Sequence, residues 1–478
     1  MRRAVTLAIL LATALAGRAA PAPDSLVLQV FKQWLEAFNS ADNAKISAFW
    51  AQYGQNASGS GQKASGGDSV SRDLRLRQMT GGMTIFRVEQ DTGTHLVALM
   101  KEGRGAYSES TIDLASTEPL KIAGMMGHPV PPPAGVNPAA NNDDDLGTKA
   151  QQHIASLHGD DAYSGAVLIA HKDKVIFEQA WGPADAANHI PNTIDTQFCL
   201  GSMNKMFTAV AILQLVQQGK LDLDKPLATY WPDYPNRDLA ARVTIRQLLS
   251  HTGGTGDIFT PEYQAHRLEL RTLADYVKLF GNRPVGFPPG SRMEYSNYGF
   301  ILLGRLIEIA SGEPYETYVR QHIYIPAGML HSDSRPESEP VSGRAIGYTR
   351  GPGGLVPNTD SKPWSGTSAG GGYSTVRDLF RFARALEQGK LLDPALLKQA
   401  TTDSQVHPRY GLGFYVLSSG SYGHGGGAPG INGELRIFPQ TGYVLIALAN
   451  RDPGSATDAV DYIQSILPNQ NQLTSRLK

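Results

Sequence analysis

"FCLGSMNKMFTAVAILQLVQQGKL" (residues 198–221) places Ser202 three residues before Lys205, where an apolar helix begins. By itself Ser-x-x-Lys says little, because a chain of this length holds roughly one or two copies by chance. A second copy, Ser60-Gly61-Gln62-Lys63, sits in a Gly/Ser-rich stretch and reads as solvated loop. The plain reading of Ser202 is a helix N-cap, a position where serine is favoured anyway. Its neighbours argue against that. Met203, Met206, Phe207, Val210, Ala211 and Leu213 describe a largely buried helix. A lysine in the first turn of such a helix is not a solvated charge. Burial disfavours its ammonium and leaves an amine that can take the serine proton. The i, i+3 spacing puts both side chains on one face. The helix N-terminus adds positive partial charge beside a developing oxyanion.

Working outward, "EYSNYGF" (294–300) contains Tyr295-Ser296-Asn297, and "GHGGGAPG" (423–430) contains His424-Gly425-Gly426. Ser-x-x-Lys, Tyr-x-Asn and His-x-Gly in this order resemble the serine β-lactamase and penicillin-binding protein superfamily. The resemblance points to the branch of class C β-lactamases, D-aminopeptidases and family VIII esterases, and it spans residues 148–468. Two landmarks fit the same family: "VTIRQLLSHTGG" (243–254) and "GGGYSTVRDLFRFARAL" (370–386), where Thr375 and Asp378 read as a capping box. Decoys are present too. Tyr234-Pro235-Asn236 matches the second motif but falls in a Pro-broken polar loop. His251-Thr252-Gly253 matches the third motif but precedes the tyrosine motif, and reads as structural.

The resemblance implies a serine hydrolase. In it Ser202 attacks an acyl carbon to form an acyl-enzyme, with Lys205 and Tyr295 as the acid/base pair. A phenol beside an ammonium ionises more readily, so Tyr295 is the expected shared acid/base, and which of the two holds the proton stays open. Asn297 is expected to orient Lys205 and a substrate carbonyl or amide. The oxyanion donors fall on the backbone of Ser202 and Gly427, and Gly425-Gly426-Gly427 lets substrate approach the strand closely. His424 stands where β-lactamases carry a lysine. An imidazole with an ordinary pKa of about 6.5 is mostly neutral at pH 7, so a substrate carboxylate is held weakly. That ranks esters first, D-amino-acid peptides or amides next, and β-lactams last. β-Lactamase or DD-carboxypeptidase activity is the alternative. A catalytically silent ligand- or cell-wall-binding protein is the rival class.

The remaining chain sets bounds. At 478 residues two or more domains are expected. The fold class is α+β: a β-lactamase/transpeptidase-like domain, with an antiparallel sheet flanked by helices plus a helical insert, over 148–468. A small α+β module of cystatin-like or nuclear-transport-factor-like character precedes it over 24–126. That module begins with a helix capped at Asp24-Ser25 and a second helix through Ile46 to Trp50, and continues into strands at 83–90, 94–101, 106–114 and 120–125. The prolines and the polar run Asn141–Asp145 make 127–147 a linker, and 469–478 a tail. Residues 1–19, with Met1-Arg2-Arg3 before an apolar run over 4–16, read as a secretory signal peptide, which predicts a periplasmic or secreted protein without a membrane anchor. A formal net charge of −1 gives no footprint for nucleic acid. Cys199 is the only cysteine, which excludes an internal disulfide, and it reads as small core packing. No spacing of ligating residues suggests a metal or a cofactor.

Overall fold

A computed structural model describes residues 24–54 and 66–468, apart from 104, 116–118, 131, 134–135, 158–161, 352, 403–408 and 418–419. The predicted signal peptide, the Ser60–Lys63 decoy and the predicted tail lie outside the described residues. The chain separates into two compact units, one of which holds most of residues 1–128 and the other most of the chain from 129 onward.

The first unit contains α1 (Leu26–Ser40), α2 (Asn43–Tyr53) and α3 (Gly66–Thr80), followed by a sheet in the order β1 (Met83–Asp91), β2 (His95–Glu102), β3 (Tyr107–Leu114) and β4 (Ile122–Val130). Ser25 caps α1 by accepting from the Leu28 amide. Val27, Val30, Phe31, Trp34 and Phe38 then fall on one buried face. Alternation in β2 sends Leu96, Ala98 and Met100 into the same core. The helix α3 is absent from the sequence reading. It opens on Gly66-Gly67 and is rich in Arg and Asp, so it carries little apolar periodicity. It supplies Asp73, which is 1% exposed and accepts from the indoles of both Trp34 (2.9 Å) and Trp50 (2.8 Å), while Arg72 pairs with its other oxygen.

The second unit opens earlier than the sequence suggested. Helix α4 spans Asp143–Ala155, capped by Asn142, so the acidic run read as linker is its first turn. Three aspartates there complement the unpaired amides and the dipole of the helix start. Strand β4 likewise reaches Val130, into the same predicted linker. Strands β5 (Gly165–His171) and β6 (Lys174–Trp181) form a hairpin. After the long helical insert come β7 (Tyr415–Val416), β8 (Tyr422–Ala428), β9 (Ile431–Phe438) and β10 (Tyr443–Ala449). The antiparallel sheet runs β7-β8-β9-β10-β5-β6. Its two halves join where β10 pairs β5, from Tyr443 opposite His171 to Ala449 opposite Gly165. Both central strands are buried on both faces. In β5, Ala166 and Leu168 face the large core, and Val167 and Ile169 face the opposite one.

The small core is covered by α4 and by α8 (Ser455–Ser465). The large core holds α5 (Asn204–Gln217), α6 (Asn297–Ser311) and α7 (Val376–Glu387). Helix α5 is buried nearly all round and packs against α6, which brings the first two motifs together. At α7 the predicted capping box is half formed. Thr375 accepts from the Asp378 amide, but the Asp378 carboxylate turns instead to the His331 amide, the Ser332 hydroxyl and Arg381.

Candidate active site

Ser202 lies in a single 3-10 turn, Gly201–Met203, ahead of α5. No side chain caps this turn or the start of α5, so Ser202 is not a helix cap. Gly201 has φ +54°, a left-handed conformation that favours glycine. It lets the turn press against β8: a Cβ on Gly201 would lie 3.1 Å from the Gly427 nitrogen. A Cβ on Gly426 would lie 2.0 Å from the Leu200 carbonyl oxygen and 3.1 Å from the Ser202 nitrogen. The backbones of Ser202 and the glycine strand thus meet at one edge.

Lys205 is 0% exposed. Its Nζ reaches Ser202 Oγ at 3.2 Å, Asn297 Oδ1 at 2.7 Å and the Ala369 carbonyl. Three neutral acceptors surround it, and among the described residues no carboxylate pairs with it. Burial pulls its pKa down to about 7, with Asp257 opposing from further off. The Asn297 amide nitrogen donates to both Asp257 oxygens at 3.1 Å. A carboxylate only accepts here, so Asp257 sets the amide orientation that turns Oδ1 to Lys205.

The Tyr295 hydroxyl lies beside Ser202, and Lys205 Nζ stands 4.8 Å from the Tyr295 ring centre. The expectation that Tyr295 ionises readily is not met. Burial and the neighbouring Tyr415 push its pKa well above the usual phenol value, so it rests as a neutral phenol. His424 also departs from expectation. It is 1% exposed, and both ring nitrogens are engaged, with Tyr410 Oη at 3.0 Å and the Gly425 carbonyl at 2.5 Å. Burial and the nearby Lys205 pull its pKa down to about 3. The ring offers no free N–H to a substrate carboxylate.

A cleft of about 690 Å³ opens over Ser202, Tyr295, Tyr415, Gly426 and Gly427. Lys205, Asn297 and His424 line or back the same place, so the residues expected to catalyse or bind converge there. The decoy Tyr234 does not. It is fully buried, its hydroxyl meets that of Tyr298, and Asn236 caps a short helix instead. Cys199 is half-buried beside the site, with its thiol pKa raised by burial. The sequence reading missed Asp257, Ala369, Tyr410 and the part played by His251. Only His251 left a signal, as part of a family landmark. Among the described residues no group of His, Cys, Asp or Glu is arranged to hold a metal ion, and no helix is long and apolar enough to cross a membrane.

Comparison with known proteins bears on this arrangement. A family model described as Beta-lactamase matches residues 150–467. A Bacillus subtilis (strain 168) protein named "Putative penicillin-binding protein PbpX" is 32% identical over 305 residues, covering 62% of this chain and 73% of that one. The structure of a penicillin binding protein from Bacillus halodurans superposes with a TM-score of 0.59 at 32% identity, covering 66% of this chain and 99% of that one. A D-amino acid amidase from Ochrobactrum anthropi SV3, complexed with L-phenylalanine amide, gives 0.58 at 28% identity over 68% and 99%.

Proposed function

The chain belongs to the Beta-lactamase family and is a serine hydrolase, and from that premise we propose that it works through an acyl-enzyme on Ser202. The observation that carries this is the Lys205 amine. It is fully buried, has no contacting counter-ion among the described residues, and lies 3.2 Å from the Ser202 hydroxyl. With a pKa near 7, about half of it is free amine at neutral pH. That amine takes the Ser202 proton as Oγ bonds to the acyl carbon. The carbonyl oxygen gathers negative charge against the Ser202 and Gly427 amides. Tyr295, a neutral phenol beside Ser202, donates its proton to the departing alcohol or amine and recovers one from Lys205. Water then attacks the ester under the same pair, which releases the acid and restores Ser202. Asn297 and Asp257 hold Lys205 in place throughout.

The substrate class is an ester or a D-amino-acid peptide or amide. The buried, occupied imidazole of His424 supports this ranking, because the third-motif side chain presents no cation to a β-lactam carboxylate, although Arg409 lines the same cleft. The relatives named as penicillin-binding proteins favour a second reading, β-lactam or DD-carboxypeptide turnover. The apolar run over residues 4–16 supports export, which N-terminal sequencing of protein recovered outside the cytoplasm checks.

The direct test is the intact mass after a fluorophosphonate probe, beside Ser202→Ala. One adduct on the native chain alone is expected, and hydrolysis undiminished in Ser202→Ala overturns the reading. Panels of nitrophenyl esters, D-alanyl amides and penicillins then rank the substrates.

A further inference from the structure

The hydrogen bonds behind Tyr295 form one chain with a single allowed direction. The Ser296 amide can only donate, and it points at His251 Nδ1 at 3.1 Å. The His251 proton therefore sits on Nε2, which donates to Tyr410 Oη at 3.0 Å. At the far end the Gly425 carbonyl can only accept, so the His424 proton sits on Nδ1, 2.5 Å away. His424 Nε2 is then an acceptor, and the Tyr410 hydroxyl donates to it at 3.0 Å. All three side chains are fully buried. Protonating either imidazole breaks the pattern, because Tyr410 would face N–H donors on both sides or the Ser296 amide would lose its acceptor.

This chain holds Tyr295 from both flanks. The His251 carbonyl accepts from the Glu294 amide at 2.9 Å, its Nδ1 accepts from Ser296, and its ring packs 4.2 Å from the Tyr295 ring. His251 does this at φ +57°, a conformation that a non-glycine residue adopts at a cost and keeps only when its surroundings enforce it. Deepening the reading of Ser202 and Tyr295 given above, we propose that His251, Tyr410 and His424 are positioning residues: a one-way relay that locks Tyr295 to the strand carrying Gly426 and Gly427 and turns the third-motif imidazole away from substrate. Its role is geometric and electrostatic together. The proton donor on one wall and the oxyanion backbone on the other keep a fixed separation. Among the described residues the charged groups facing the relay are Lys205, Asp257 behind Asn297, and the paired Glu434 and Arg436 beside Gly425; Tyr295 and Tyr415 face it as neutral phenols, and a neutral relay adds no second cation beside Lys205.

The test is Tyr410→Phe, which keeps the ring and deletes the one atom that joins the two histidines. In the native chain, nitrogen-15 NMR of labelled histidine is expected to show, among the signals of the twelve histidines, that of His251 protonated at Nε2 and that of His424 at Nδ1, neither titrating between about pH 5 and 8. His251→Gln and His424→Gln assign the two signals. In Tyr410→Phe the His424 tautomer is lost or begins to titrate, and kcat falls by about tenfold to a hundredfold while KM stays within about twofold. Should that variant not fold, rescue replaces it. His424→Gln retains an acceptor for Tyr410 and is expected to keep more kcat than His424→Ala. Native imidazoles that share one tautomer or charge in that range, a Tyr410→Phe enzyme with native kcat, or equal losses in the two His424 variants each overturn the relay. Fluorophosphonate labelling of the same samples keeps this separate from the parent reading, since an unlabelled native chain sinks Ser202 whatever the histidines show.

Discussion

Asp73 in the N-terminal unit and Lys205 in the larger one are both buried ionisable side chains, built on opposite principles. In the N-terminal unit Asp73 takes two indole N–H donors and a direct guanidinium partner. In the larger unit Lys205 is ringed by a hydroxyl, an amide oxygen and a carbonyl, with its nearest carboxylate held one residue away behind Asn297. A buried charge given its counter-ion stays a charge and braces the fold. One denied contact with a counter-ion is tuned towards neutrality, and its proton becomes available for chemistry. The difference in partners, more than the difference in depth, separates a strut from a base.

Removing each centre tests the contrast most strongly. Lys205→Met is expected to lower ester hydrolysis by at least about a thousandfold, measured as kcat/KM, with the fold retained by circular dichroism. Asp73→Ala is expected to leave hydrolysis unchanged. It should destabilise the N-terminal unit by about 3 kcal/mol in calorimetry, because two buried indole donors and an arginine lose their acceptor. A rate loss in the second variant would erase the distinction.

The pH profile sharpens it. Lys205 must be the free amine to act, so kcat/KM should rise with pH through a single step near 7 and then level off. Asp257 raises the Lys205 pKa by its negative charge. In Asp257→Asn that support is gone, and the step should move to lower pH, by less than about one unit for a charge separated by an intervening amide. A step that moves upward would show that Asp257 acts on some other group. The smallest effect is expected at Arg72→Met. Its side chain is 50% exposed, and its pairing with Asp73 is worth about 0.5–1 kcal/mol in a thermal melt.

Much of the site was legible because its chemistry is written at short range. Ser202 and Lys205 share a helical face, and the third-motif glycines sit on one strand, so residue type and spacing sufficed. The caps at Ser25 and Thr375 were legible for the same reason. Missed features depend on distant segments meeting. His251, Tyr410 and His424 lie on three separate stretches, and no local pattern joins them. The state of Tyr295 was misjudged because sequence shows that a lysine is near but not how dry the pocket is. Asp143–Asp145 looked like linker because acidic runs usually are; here they serve the first turn of a helix whose apolar face begins at Leu146.

The pairing of β10 with β5 has a consequence in time. The nucleophile and its base lie near residue 200, but Gly426 and Gly427 belong to a strand whose sheet closes only when residues 443–449 dock against 165–171. During synthesis a ribosome-bound chain longer than 205 but shorter than about 450 residues carries Ser202 and Lys205 but no closed oxyanion wall. Acylating activity should therefore switch on abruptly as the last strand emerges. Arrested chains of increasing length, challenged with the fluorophosphonate probe, should stay unlabelled until that strand is free of the exit tunnel.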